Sequence, residues 1–70
     1  MKMIPVSSSN IAAIGYDETQ SLLVIEFLNG STYEYYSVPS YVFDELLNAG
    51  SKGQYANHNI YKNYSQNRIR

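Results

Sequence analysis

The stretch "AGSKGQY", Ala49–Tyr55, holds the residue types best suited to chemistry in this chain. Two glycines, a serine and a lysine sit where a helix is expected to begin. A helix N-terminus offers unbonded amide groups and the positive end of the backbone dipole. Lys52 would add a full charge beside Ser51, and Gly50 and Gly53 would let a ligand approach the backbone. A phosphate or carboxylate could dock there. The same residues also serve an ordinary turn between two helices, so the pattern alone does not separate the two roles. Downstream, Tyr55, His58, Tyr61, Lys62 and Tyr64 interleave aromatic and basic groups. That combination suits single-stranded nucleic acid, where phosphates meet cations and bases stack on rings.

Other chemistry finds little support. His58 is the single histidine, and no residues spaced as metal ligands or as a catalytic triad accompany it. The acidic pairs Asp17-Glu18 and Asp44-Glu45 fall in a turn and on a helix surface, without the apolar setting that would raise one carboxyl for acid catalysis. The phosphate-loop pattern of nucleotide hydrolases is missing. The sequence predicts a protein without enzymatic activity, cofactor, metal or small-molecule substrate.

Charge is divided along the chain. Residues 1–45 carry one lysine against six acids, a net of −5, while residues 46–70 carry four cations and no acid, a net of +4. An anion-binding surface is therefore expected on the C-terminal third. No apolar run approaches the ~18 residues of a membrane span, and "MKMIPVSSSN" is too short and broken for a signal peptide. With no cysteine in the chain, the expectation is a cytoplasmic protein without disulfides. Seventy residues make one small domain, held by aliphatic and tyrosine packing.

The elements that must position these residues are short. Asn10–Tyr16 and Ser21–Leu28 read as strands around a polar turn at Asp17–Gln20, with Tyr16 opposite Ser21. The turn at "LNG", Leu28–Gly30, determines where three clustered tyrosines point. A two-residue turn would place Glu34 on the face of Leu23, Ile25 and Phe27. A three-residue loop with Gly30 in the left-handed position pairs Ile25 with Tyr33 and Leu23 with Tyr35, and turns Glu34 outward. Burying an unpaired carboxylate costs several kcal/mol, so the three-residue loop is expected. Tyr33 and Tyr35 then face the core, and Tyr36 faces away with Leu22 and Val24. Three adjacent tyrosines on one strand cannot form a single stacking platform, because neighbours alternate faces.

Pro39 suits the first position of a helix, and Val42, Phe43, Leu46 and Leu47 make its apolar stripe, with Gly50 as its C-terminal cap. Ser51 and Gln54 read as a capping box opening a second, shorter helix to about Asn57. The predicted fold is α+β: a three-stranded antiparallel meander, one amphipathic helix packed on one face and a second short C-terminal helix. The domain is expected to span residues 6–64, with residues 1–5 and 65–70 as flexible ends.

Taken together, "SSSNIAAIGYD", the central "YEY" of Tyr33–Tyr35, "VP" at Val38-Pro39 and "AGSKGQYANHNI" resemble the KTSC domain. That family occurs at the C-terminus of some lysyl-tRNA synthetases and as small free-standing bacterial and phage proteins. The resemblance covers residues 6–64 and implies a short α+β domain with an RNA-binding role. The matching positions are Ser8, Ile11, Ile14, Gly15, Tyr16, Gly30, Tyr33, Tyr35, Pro39, Leu46, Ser51, Gly53, Tyr55, Asn57 and Ile60. The chain departs from the family pattern at Ala56, where an aromatic is common, and at Tyr61, where an arginine is common.

Two functions follow as expectations. One is a non-enzymatic RNA-binding module using Ser51, Lys52, Gly53, Tyr55, His58, Tyr61, Lys62 and Tyr64, with the Arg68/Arg70 tail contributing charge. The other is a protein-interaction module or homodimer, using the outer sheet face around Leu22, Val24 and Tyr36 or an edge strand.

Overall fold

The computed structural model describes all 70 residues. Its strands are β1 (Met3–Pro5), β2 (Ile11–Asp17), β3 (Leu22–Phe27), β4 (Thr32–Tyr35) and β5 (Gln66–Arg68), and its helices are α1 (Ser40–Asn48) and α2 (Lys52–Asn59). The five strands form one antiparallel sheet in the order β1-β2-β3-β4-β5. The expected three-stranded meander is therefore its centre, and the segments expected to be flexible ends supply the two edges.

The β3–β4 hairpin has the register demanded by Glu34. Leu23 pairs with Tyr35 and Ile25 with Tyr33, and the Phe27 N–H donates to the Ser31 carbonyl at 2.8 Å across a three-residue loop. Gly30 sits at φ 92°, a conformation that a side chain strains against. Asn29 tightens the loop by accepting the Ser31 N–H and hydroxyl.

The β2–β3 turn lies one residue later than expected. Asp17 pairs with Leu22 and Tyr16 with Leu23, so Tyr16 is not opposite Ser21. Ser21 belongs to the turn, at φ 52°. The Asp17 carboxylate accepts from the Thr19 N–H, the Thr19 hydroxyl and the Gln20 amide, which lets the chain reverse directly after it. The register moves by two residues, so the faces are unchanged. An irregularity between Ile11 and Ala13 has more effect. Ile11 and Ile14 are three apart and would point to opposite faces of a regular strand. With the extra residue, Ile11 pairs with Phe27 and Ile14 with Ile25, and both isoleucines are fully buried on one face.

The helices cover that face. Ile11, Ile14, Leu23, Ile25, Tyr35 and Val38 pack with Val42 and Leu46 of α1, Ala56 of α2 and Ile60. Pro39 is the N-cap of α1 and not its first helical residue. The helix closes at Ala49, in extended conformation, with its N–H on the Leu46 carbonyl; Gly50 adopts no left-handed cap. Ser51 caps α2 by accepting the Gln54 N–H, but the Gln54 side chain makes no return bond, so only half of the expected capping box forms; the helix runs to Asn59. Ala56 and Ile60, four apart on one stripe, are fully buried. The small side chain of Ala56 sits in the core cluster, so α2 lies close against it.

Two tyrosine hydroxyls tie the elements together, one between sheet and helices and one between the two helices. Tyr16 donates to the Val38 carbonyl just before α1, and its ring stacks on Phe43 at 5.2 Å. Tyr55 of α2 donates to the Glu45 carboxylate of α1. On the opposite face Tyr36 is exposed and donates to Glu34 at 2.9 Å.

Candidate nucleic-acid interface

The expected anion site is built differently from its sequence pattern. Ser51 is occupied as the N-cap of α2. Lys52 turns back, and its Nζ donates to the Ala49 carbonyl at 3.2 Å. α1 has no basic residue in its last turn, so Lys52 supplies the charge that the negative end of that helix favours. Gly53 leaves room for a neighbour in the fold: a Cβ there would lie 2.7 Å from Asn10 Oδ1. Its smallness is spent on the chain itself.

Asn10 is held firmly. Its carbonyl accepts the Leu28 N–H at 2.9 Å. Ser8 Oγ accepts the N–H groups of Asn10 and Ile11 and donates to Asn10 Oδ1 at 3.2 Å. This anchored amide separates two depressions. One, of about 530 Å³, lies between Asn10 and α2 and is lined by Ser9, Asn10, Ser51, Gly53, Gln54, Asn57 and Tyr61. The other, of about 340 Å³, is lined by Ser9, Asn10, Phe27, Leu28 and Asn29. Leu28 stands at the hairpin tip, 61% exposed. No charged residue lines either depression.

The remaining predicted residues divide into two groups. Tyr61 joins the corner but is no free platform. Its ring packs on Tyr35 at 6.2 Å and Phe27 at 6.1 Å, and Phe27 meets Tyr33 edge-on at 5.9 Å. Burial raises the Tyr61 hydroxyl above its usual range, and the adjacent Asn10 amide offsets part of the rise. That hydroxyl is buried without a hydrogen bond of ordinary geometry. Tyr55 is committed to Glu45, and burial together with that carboxylate pushes it up to about 12. Tyr64 is half-buried against the core cluster, and its hydroxyl is raised by burial and then by Tyr41. His58 and Lys62 are exposed and make no ion pair.

The basic tail is also split. Arg70 pairs with Glu26 at 3.2 Å. It lines an outer-face depression of about 370 Å³ with Met3, Val24, Glu26, Thr32 and Ile69. Arg68 is opposite Tyr33 across the β4–β5 ladder, which puts it on the helical side of the sheet, next to the Phe27–Tyr33–Tyr61 group. The structure thus brings Ser51, Gly53 and Tyr61 together and turns Lys52 and Tyr55 to structural contacts. Sequence reasoning missed Asn10, Gln54 and Asn57. Gln54 appeared only as a capping residue and Asn57 only as the approximate end of the second helix and a family match. Nothing local marks Asn10, because an asparagine before a strand reads as turn chemistry.

Comparison with known proteins adds a second line. The KTSC domain model matches residues 7–64. A crystal structure of a KTSC domain protein from Yersinia pestis superposes with a TM-score of 0.93 at 36% identity, covering 99% of this chain and 97% of that one. A protein of Tsukamurella paurometabola is 51% identical over 55 residues, 79% of this chain and 82% of its own length. A lysine–tRNA ligase of a Nostoc species is 47% identical over 53 residues, 76% of this chain but 9% of the ligase. The similarity to the ligase is thus to one small segment. The family match extends from the "SSSN" segment that anchors Asn10 to Tyr64, and the Yersinia protein shares the arrangement of strands and helices: the chain belongs to the KTSC domain family.

Proposed function

We propose that this protein is a small non-enzymatic module that binds single-stranded RNA on the surface around Asn10. The observation that carries the reading is the charge layout. The two depressions that meet at Asn10 are free of acid, and α2 has none in its first turn. The acids lie on the outer face (Glu26 and Glu34), at the β2–β3 turn and on α1. Half-buried aromatics border the same corner; Arg68 is opposite one of them, Tyr33, and the exposed Lys62 directly follows another, Tyr61. Similarity to a segment of lysine–tRNA ligases supports an RNA ligand. The test is an NMR titration with short single-stranded RNAs at low and physiological salt. Backbone shifts at Asn10, Gln54, Asn57 and Lys62 are expected; shifts confined to Tyr16–Glu26, or none at low salt, overturn the reading.

A second reading is a protein-interaction or self-association module. Ile69 is half exposed beside Met3, Val24 and Thr32 on the outer face, and the Thr32 hydroxyl there is buried without a partner. Sedimentation that depends on concentration, abolished by Ile69→Glu, would favour it.

A further inference from the structure

We infer that the depression between Asn10 and α2 receives the edge of an unpaired nucleobase and not a phosphate. This deepens the RNA-binding reading and rests on it. A phosphate site at a helix start needs a free cation or open backbone amides. Here the one adjacent cation, Lys52, is turned to the Ala49 carbonyl, and Ser51 takes the Gln54 and Tyr55 N–H groups, which leaves the N–H groups of Lys52 and Gly53. The first anion-facing group is the oxygen of Asn10, held beside Gly53. Negative charge would meet a partial negative charge.

The same surroundings suit a base. Each carboxamide offers a donor and an acceptor side by side, the pattern that matches the edge of a base. Bases of unpaired RNA are splayed out and available for such contacts. Two of the three carboxamides of this cleft are also uncommitted. Asn48, Asn59 and Asn63 each donate to a carbonyl four residues earlier. Gln54 and Asn57, which line the cleft, make no side-chain hydrogen bond within the protein. Both are exposed. Phosphates would run outside the cleft, toward Lys62 and Arg68.

The experiment compares three octamers of equal length: adenosine RNA, uridine RNA and an abasic ribose-phosphate strand. Binding is followed through the side-chain NH2 resonances of Asn10, Gln54 and Asn57. At least one base-bearing octamer should shift these signals, and the abasic strand should bind at least tenfold more weakly. The double variant Gln54→Ala/Asn57→Ala should lose roughly tenfold in affinity, equivalent to about 1.4 kcal/mol, with an unchanged salt slope. Both positions are exposed, and a thermal melt matching the parent shows that the fold survives. Abasic binding within twofold of the others, or an unaffected double variant, overturns the inference while leaving RNA binding in place. Absence of binding by all three at low salt removes the RNA-binding reading and the inference with it.

Discussion

Tyr35→Ala tests the packing that places the candidate surface. Tyr35 is 2% exposed and lies between Tyr33 at 6.4 Å and Tyr61 at 6.2 Å. Truncating a large buried aromatic costs about 3–5 kcal/mol, and each aromatic pair contributes roughly 0.5–1.5 kcal/mol beyond burial. A 70-residue domain has a total stability of only about 4–10 kcal/mol at ordinary values per residue. Tyr35→Ala should therefore remove a large share of that stability. Tyr35→Leu keeps part of the volume and should fold, with a loss of about 1.5–3 kcal/mol, which at a urea m-value near 1 kcal/mol/M moves the midpoint by roughly 1.5–3 M. Tyr36→Ala, on the opposite face, loses an exposed hydrogen bond to Glu34 and should cost less than about 1 kcal/mol. Urea melts that gave Tyr35→Leu and Tyr36→Ala equal losses would refute the partition of the tyrosines between faces.

Stability should fall as pH rises above ~10. Burial raises the folded-state hydroxyls of Tyr35 and Tyr61, so the unfolded chain ionises first and the stabilisation present below that pH is lost; thermal melts between pH 9 and 11.5 would show a descending midpoint, and a flat one would contradict it. Lys52→Met should lower stability by about 0.5–1 kcal/mol through loss of its contact with Ala49, and it should change RNA affinity by less than about twofold, as read by urea melts and the octamer titration. Gly53→Ala gains up to about 1 kcal/mol of helix propensity but pushes Asn10 Oδ1 aside; stability should stay within about 1 kcal/mol of the parent while the Asn10 NH2 signals move. Arg70→Ala breaks an ion pair whose guanidinium side is 71% exposed, so its loss should be below about 1 kcal/mol and should shrink further at high salt.

Legibility followed the size of the penalties involved. The β3–β4 register was readable because one slip would bury Glu34, a cost on the scale of the whole fold. The capping role of Ser51 was readable because cap chemistry is local. The edge strands were not readable. β5 is "QNR", three exposed polar residues with no alternation to detect. It is held through β4, where the Tyr36 N–H reaches the Ser65 carbonyl and the Thr32 N–H reaches Arg70. β1 includes Pro5, which argues against a central strand but is tolerated at an edge. The irregularity near Ala12 hid a second pattern, since Ile11 and Ile14 share a face only once the extra residue is inserted.

At the candidate site the residue types were legible and their commitments were not. Five cations are in the sequence, and four lie in the last third, which suggested a basic surface. Folding scatters them. Lys52 neutralises a helix end, Arg70 sits on the outer face with Glu26, and Lys2 precedes β1 at the far edge of the sheet. Arg68 lies on the helical side of the sheet opposite Tyr33, with its Nε on the Arg70 carbonyl at 3.1 Å, and Lys62 is exposed directly after Tyr61. Two phosphate contacts to a single strand give a salt slope of roughly −1.4 in log affinity against log salt. That is shallower than a charge count along the C-terminal third would suggest. A module with so little electrostatic attraction cannot hold RNA by its backbone alone with useful affinity. On the proposed RNA-binding reading, most of the binding free energy must then come from uncharged contacts, and the carboxamides of Gln54 and Asn57, exposed and without a partner in the protein, are the groups in the Asn10 cleft placed to make them.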